Sequence, residues 1–112
     1  MKDDQVYLVH IIECCERIQR YTGDGKAAFL ESTMAQDAVI RNFEVIGEAV
    51  KCLSQTFRDT HSHVDWRRIA GLRDVLIHDY MGVDLEEVWL ITTGKLPDLK
   101  SQIQKLREGA SR

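Results

Sequence analysis

The chain has 112 residues, 44% of them hydrophobic and 29% charged, which is ordinary for a single globular domain spanning residues 1–112. Its formal net charge of -3 argues against a protein that grips nucleic acid through overall positive charge, so any RNA contact must use a local basic patch. No apolar run is long enough for a secretion signal or a membrane span, which predicts a cytoplasmic protein.

The cysteines are Cys14, Cys15 and Cys52, an odd number without a CxxC pair. This pattern predicts core thiols rather than a disulfide framework or a zinc site.

Helical spacing of apolar residues runs along the chain, and the strict alternation of a half-buried strand is absent, so the sequence predicts an all-α protein. The first helix should begin near Asp3 or Asp4 and end at the turn Thr22-Gly23-Asp24-Gly25. A short apolar turn from Ala27 to Leu30 is expected next. The predicted stripe of the first helix is Tyr7, Ile11, Cys14, Ile18 and Tyr21.

The second predicted helix is long and strongly amphipathic. Ser32 or Thr33 can cap it, with Gln36 three residues after Thr33 as a capping box requires. Spacings of four and three residues predict that its apolar row continues to Phe57. That row is Val39, Phe43, Ile46, Val50, Leu53 and Phe57. A second apolar row beside it makes this the central helix.

A polar loop is expected from Arg58 to His63. Asp65 should cap the following helix, which is expected to run from Trp66 to about Tyr80.

Two helices are predicted at the C-terminal end of the chain. Asp84 should cap one that covers Leu85 to Thr93, and Gly94 should terminate it. Pro97 suits the first turn of a last helix, whose apolar residues are Leu99, Ile103 and Leu106. The predicted architecture is an antiparallel bundle of four to six helices.

The helix that starts at Trp66 carries the most specific chemistry. Since each helical residue turns by about 100°, Arg73 and His78 should lie about 140° apart at the two edges of one face, with Ile77 between them. An arginine fork can hold two phosphate oxygens, and a histidine can transfer a proton near neutral pH. The 2′-hydroxyl of RNA is a built-in nucleophile, so this pair fits RNA cleavage without a metal. Asp74 lies four residues before His78 and can fix its tautomer.

The segment Arg73-Asp74-Val75-Leu76-Ile77-His78-Asp79-Tyr80 resembles the RxxxxHxY motif of HepT-type HEPN-domain toxins. The likeness extends to Ile46-Gly47-Glu48-Ala49 in the long helix, to Trp66 before the motif and to Val88-Trp89 after it. It implies a HEPN-like bundle that forms a homodimer, so that two motif segments line one cleft and Ile77 is covered. It also implies a metal-independent endoribonuclease that needs no cofactor, with Arg73 and His78 as the catalytic residues.

The same resemblance implies that the protein is the toxin of a toxin-antitoxin pair. The expected partner is a minimal nucleotidyltransferase antitoxin like MntA, which transfers AMP from ATP to the motif tyrosine, here Tyr80. The added phosphate would bring negative charge and bulk beside Arg73 and His78. From spacing alone, a structural tyrosine that packs against the next helix is an alternative.

Other polar residues allow less specific interpretations. Arg67 and Arg68 could guide the RNA backbone, or they could be an ordinary charged helix start. His61-Ser62-His63 is expected to be a solvated loop rather than a metal site, and Glu48 is expected to be structural. Asp74 and Asp79 should favour the protonated form of His78.

Two other function classes fit the residues without the resemblance. One is a non-catalytic helical module that binds RNA or a nucleotide, and the other is an interaction subunit of a nucleotidyltransferase.

Overall fold

The computed structural model describes residues 3–78 and 84–110, leaving aside the side chains of residues 73–78 and 110. Over these residues the chain is all-α, as predicted. Helix α1 (Asp4–Tyr21) begins as expected, because the carboxylate of Asp3 accepts the backbone N–H of Gln5 at 2.9 Å. At its other end the hydroxyl of Thr22 donates to the carbonyl of Ile18 at 2.8 Å.

The segment predicted as an apolar turn is instead a short helix, α2 (Lys26–Glu31). Gly25 precedes it with φ 98°, a conformation that glycine adopts without strain. Phe29 is buried, and its ring centroid lies 5.7 Å from that of Trp89. This anchor explains the error, since burial against a distant residue favours the helix and cannot be read from local spacing.

Helix α3 (Thr33–Cys52) is the central helix, as predicted, and it packs most extensively against α1 and α5. Ser32 caps it by accepting the backbone N–H of Ala35 at 3.1 Å. The predicted capping box is wrong, because the Gln36 amide donates to the carbonyls of Phe29 and Leu30, at 3.1 and 3.0 Å. Both carbonyls belong to the last turn of α2. The carbonyl of Phe29 also accepts the backbone N–H of Ser32, at 3.2 Å.

The long helix ends at Cys52, earlier than the apolar row suggested. Leu53 is extended, with ψ 143°, and Ser54 caps α4 (Gln55–Thr60). The Asp4 carboxylate accepts the backbone N–H and the hydroxyl of Ser54, at 2.7 and 2.8 Å. Because these two hydrogen bonds hold Ser54 at the start of α1, they determine where the long helix ends. The expected loop from Arg58 to His63 is also wrong in part, because α4 continues to Thr60.

The next helices begin at the residues that the sequence indicated. The Asp65 carboxylate accepts the backbone N–H of Arg68 at 3.1 Å, at the start of α5 (Trp66–His78). The predicted end of that helix near Tyr80 lies outside the described residues. The Asp84 carboxylate accepts the backbone N–H groups of Glu86 and Glu87 and caps α6 (Leu85–Leu90).

Gly94 does not end a helix, contrary to the prediction. A π-helical segment (Ile91–Lys95) joins α6 to α7 (Leu96–Ala110) without a break. The Leu96 N–H bonds to the carbonyl of Ile91, five residues earlier. Pro97 has no N–H, and its ring would crowd the carbonyl four residues before it in an α-helix. The wider π turn relieves that crowding.

With α6, the π segment and α7 taken as one rod, the described residues form six helices, within the predicted range. The core lies between α1, α3, α5 and this rod. Its largest fully buried side chains include Leu8, Ile11, Ile18, Phe29, Phe43, Ile46, Leu96 and Ile103. No helix in residues 3–78 and 84–110 is long and apolar enough to cross a membrane.

The cysteines are free, and they divide between core and surface. Cys14 and Cys15 are buried, as predicted. Cys52 is exposed, so its expected place in the core is wrong. It is the last residue of α3, at the point where the chain turns toward α4.

Candidate functional site

An aromatic cluster fixes the start of α5, the helix that carries the candidate motif. Trp66 is buried, and its indole N–H donates to the carbonyl of His61 at 3.1 Å. The ring of Phe57 lies 6.1 Å from that of Trp66 and 4.5 Å from that of His61. These contacts join α4, the following turn and α5, so the first turn of α5 has a defined position.

The middle of α5 is held against the core. Ile69 is buried and Leu72 is partly buried against the same cluster. The backbone continues as a helix through positions 73, 74 and 78, so the candidate Arg73, Asp74 and His78 belong to the last turns of α5. Their side chains and Tyr80 fall outside what the structure describes, and their roles stay predictions.

Arg67 and Arg68 are both exposed, as a contact with RNA requires, but they border different concavities. Each makes no ion pair with another described residue. Arg68 lies at a groove between α5 and α7, whereas Arg67 lies beside Arg58 and His63 in a polar hollow near the start of α5. Adjacent residues diverge by about 100° on a helix, which accounts for the separation.

The groove between α5 and α7, called the α5–α7 groove below, has a volume of about 190 Å³. Its floor is apolar and its rim is charged or polar. The floor consists of Phe43, Ile69, Leu72, Ile91, Leu96 and Leu99, and the rim of Asp65, Arg68, Lys95, Asp98 and Gln102. Sequence reasoning missed this groove because its walls come from three separate helices and the π segment. One signal in the sequence could have indicated it. Gly94 and Pro97, which ordinarily end a helix, lie inside an apolar pattern that continues past them.

The turn formed by His61, Ser62 and His63 borders the polar hollow beside Arg67. Ser62 and His63 are exposed, as a solvated loop requires. His61 is half-buried and its ring packs against Phe57, so the expectation of a solvated loop is wrong at this residue. The Nε atom of Arg58 is buried without a hydrogen-bond partner, while one terminal nitrogen donates to the Gln55 side chain at 3.2 Å. Among the described residues, no group of three or more His, Cys, Asp or Glu side chains could hold a metal ion.

Two other residue types that could suggest chemistry are the buried cysteines and Glu48, whose expected structural role stays a prediction. Burial raises the pKa of the Cys15 thiol to about 12 and also raises the pKa of Cys14, so neither is a ready nucleophile. Glu48 is exposed on α3 between the buried Gly47 and Ala49, so it faces away from the monomer core.

Comparison with known proteins gives a consistent family. The family model described as "Ribonuclease HepT-like" matches residues 11–106. A protein of Caldanaerobacter subterraneus subsp. tengcongensis named "Putative RNase" is 40% identical over 107 residues, which cover 95% of this chain and 96% of that protein. A "Probable ribonuclease HepT" of Thermococcus cleftensis is 40% identical over 103 residues, covering 91% and 94% of the two chains.

One relative is longer. A Methanocaldococcus jannaschii protein named "Gamma-glutamylcyclotransferase and putative RNase" is 44% identical over 108 residues, which cover 96% of this chain. The chain spans 49% of the length of that protein. No solved structure matches the chain significantly.

Proposed function

Since the chain belongs to the HepT-like ribonuclease family, we propose that it is a metal-independent endoribonuclease with Arg73 and His78 as its catalytic residues. The observation that carries the proposal is the family match over residues 11–106, which includes the whole RxxxxHxY segment. The helical backbone of α5 through His78 supports it, because it puts both positions on one helix.

The proposed chemistry uses the RNA's own 2′-hydroxyl as nucleophile. His78 takes the proton from O2′, the O2′–P bond forms, and the P–O5′ bond breaks as the leaving O5′ receives a proton. The products are then a 2′,3′-cyclic phosphate and a 5′-hydroxyl. Arg73 stabilises the negative charge that gathers on the phosphoryl oxygens, and Asp74 orients His78. Proton transfer by a placed histidine contributes roughly 10²- to 10⁴-fold in rate.

The proposal includes a homodimer in which two α5 motifs face one cleft. Ile77 lies between positions 73 and 78 on the helix, where an ideal helix gives it the direction of the active face. In a homodimer the second subunit would cover this isoleucine and remove its apolar surface from water.

Regulation is the second part of the proposal. As the toxin of a toxin-antitoxin pair, the protein would be neutralised by a MntA-like nucleotidyltransferase that attaches AMP to Tyr80. In that transfer the Tyr80 oxygen forms a bond to the α-phosphorus of ATP, pyrophosphate leaves, and the phenolic proton is released. The new phosphodiester would occupy the phosphate site beside Arg73 and repel the RNA backbone.

The test of catalysis is cleavage of defined RNA in EDTA by wild type, Arg73→Ala and His78→Ala. We expect each substitution to lower the rate by at least about 10²-fold, because each removes one of two cooperating groups. Arg107→Ala, a change of the same type far along α7, is the control and should retain activity. RNA that binds to the wild type but stays intact would identify a non-catalytic binding module instead.

AMP transfer is tested by incubating the protein with ATP and a MntA-like nucleotidyltransferase. We expect the mass of one AMP on wild type and none on Tyr80→Phe, while Tyr21→Phe, which changes an exposed tyrosine of α1, is modified normally. An adduct that persists on Tyr80→Phe contradicts the assignment.

A further inference from the structure

We propose that the α5–α7 groove is a nucleobase pocket that holds one base of the RNA substrate beside the scissile phosphate. The inference rests on the proposed ribonuclease function and adds a substrate-recognition site to it. It begins from the size of the groove. Pockets for drug-sized ligands have volumes of about 300–1,000 Å³, so the groove, at about 190 Å³, takes a single ring system rather than a protein helix.

The floor of the groove suits a flat, apolar face. Phe43 and Leu96 at its base are each 1% exposed, and Leu99 is 7% exposed, so the floor is part of the rigid core. The accessible part of the floor comes from Leu72, which is partly buried, and from the exposed edges of Ile69 and Leu99. A base laid against these side chains loses contact with water on one face. Its polar edges still reach the rim, where hydrogen-bonding groups are available.

The rim favours a nucleotide over a purely apolar ligand. Arg68 and Lys95 are exposed, and neither forms an ion pair with a described residue, so both are available to phosphate oxygens. Asp98 and Gln102 offer a carboxylate and an amide to the edge of a base. Cations that bind the backbone and polar groups that bind a base edge are two of the kinds of contact by which proteins hold RNA.

The groove adjoins one edge of the proposed active site. Ile69 lines the groove, and position 73 follows it by one helical turn, about 6 Å along the axis of α5 and about 40° around it. Position 73 is therefore the edge of the proposed active face that lies nearest the groove. A phosphate held at position 73 therefore leaves a neighbouring nucleoside within reach of the groove.

The π segment explains how α6 and α7 form the other wall. Ile91 and Lys95 are its first and last residues, and both line the groove. π-helical turns are rare in proteins, and they are found frequently at functional sites. Here the π segment places an apolar side chain at the floor and a cation at the rim of the same cavity.

The carboxylate of Asp98 at the rim predicts which nucleobases the groove binds most tightly. Carboxylates accept hydrogen bonds from exocyclic amino groups, which adenine, cytosine and guanine carry. Uracil offers only its N3–H, which lies between two carbonyl oxygens that a carboxylate repels. We therefore expect AMP, CMP and GMP to bind at least about five-fold more tightly than UMP, equivalent to about 1 kcal/mol.

The first experiment measures binding without cleavage. The four 5′-nucleoside monophosphates and ribose 5-phosphate are titrated into the full chain, and backbone amide shifts are followed by NMR. We expect the amides of Leu72, Ile91 and Lys95 to shift with the three amino-bearing nucleotides and not with ribose 5-phosphate. Shifts that depend on protein concentration and not on nucleotide would identify a subunit interface and overturn the inference.

Variants on the exposed rim test the individual contacts without disturbing the core. Gln102→Leu and Lys95→Gln should each weaken nucleotide binding by about three-fold or more, whereas Gln104→Leu and Lys105→Gln, matched changes of exposed α7 residues outside the groove, should leave it unchanged. Asp98→Asn should remove the disadvantage of UMP. Equal effects of rim and control variants would overturn the inference.

Cleavage separates this inference from the proposed function. With RNA oligonucleotides that differ in one base beside the cleaved phosphate, wild type should cut those with uracil there most slowly, and Asp98→Asn should level the rates. If the wild type cleaves RNA but no nucleotide shifts the amide signals of the groove, the pocket hypothesis is overturned. The proposed ribonuclease function is then unaffected. Nucleotide shifts in the groove without any RNA cleavage support the pocket and overturn the proposed ribonuclease.

Discussion

Burial gives the three cysteines different chemistry, although the sequence treats them alike. Cys15 is 0% exposed, and burial raises its pKa to about 12, while Cys52 lies at the surface. A thiol that is held neutral in the core contributes packing rather than reactivity. The same surroundings make the stability of the protein depend on pH at the alkaline end.

Replacement of Cys15 should change how stability responds to alkali. Since folding raises the pKa of this thiol, the native state keeps a proton that the unfolded chain loses, and that stabilisation is present below about pH 9. It is lost as the pH rises from about 9 toward about 12. Urea unfolding between pH 8 and 10.5 should therefore show a steeper loss of stability for wild type than for Cys15→Ala.

The matched control is Cys52→Ala, at an exposed position, which should follow the wild-type slope. Only the slope is compared, because Cys15→Ala also leaves a cavity that lowers stability at every pH. Parallel curves for wild type and Cys15→Ala would contradict the assignment.

At the scale of elements, side-chain caps were the most predictable feature. Asp3, Asp65 and Asp84 each accept a backbone N–H at the helix start where the sequence placed them. Ser32 was one of two candidate caps, and the structure selects it. A cap is a local interaction between residues two or three apart, so local sequence is sufficient to indicate it.

The ends of the helices were less predictable, since tertiary contacts decide them. The break after Cys52 depends on Asp4, which is 50 residues from Ser54 along the chain. The continuity through Gly94 depends on how α6 and α7 pack, and the local sequence contains a glycine and a proline that ordinarily end helices. In both cases the apolar periodicity was correct and the boundary was wrong.

Two glycines should respond oppositely to alanine. Gly94 lies inside the π segment without a positive φ and with open space around it, so Gly94→Ala should stabilise the protein by about 0.5–1 kcal/mol. Gly25 has φ 98°, so Gly25→Ala should cost about 1–3 kcal/mol. Urea midpoints measure both. A loss of stability in Gly94→Ala would contradict the placement of Gly94 inside a continuous helical segment.

At the scale of the molecule, the sequence supplied the motif and the fold supplied its surroundings. The spacing of Arg73 and His78 indicated a phosphate site, and the resemblance over nearly the whole chain indicated the family, which the family match confirms. The α5–α7 groove could not be predicted, because Phe43, Leu72 and Leu99 meet only after α3, α5 and α7 pack. Single helices carry local signals, whereas a cavity is a property of the assembled bundle.

The proposed homodimer leads to a prediction about the whole assembly. If each active site combines Arg73 of one protomer with His78 of its partner, a mixed dimer of Arg73→Ala and His78→Ala subunits holds one intact site and one empty site. Half of randomly exchanged subunits form mixed dimers, so the mixture should recover about a quarter of wild-type cleavage, although each variant alone is inactive. The mixture is refolded together, and cleavage is measured in EDTA.

The control for this experiment mixes Arg73→Ala with the double variant Arg73→Ala/His78→Ala, which offers no intact arginine and should stay inactive. Sedimentation should show dimers in every sample, so that lost activity is not lost assembly. Recovery with the first pair alone requires that both subunits contribute to one site, because a site complete within one protomer cannot be repaired by exchange. An inactive first mixture, in samples that are dimeric and exchanged, would confine Arg73 and His78 to the same protomer and reduce the role of the second subunit to covering Ile77.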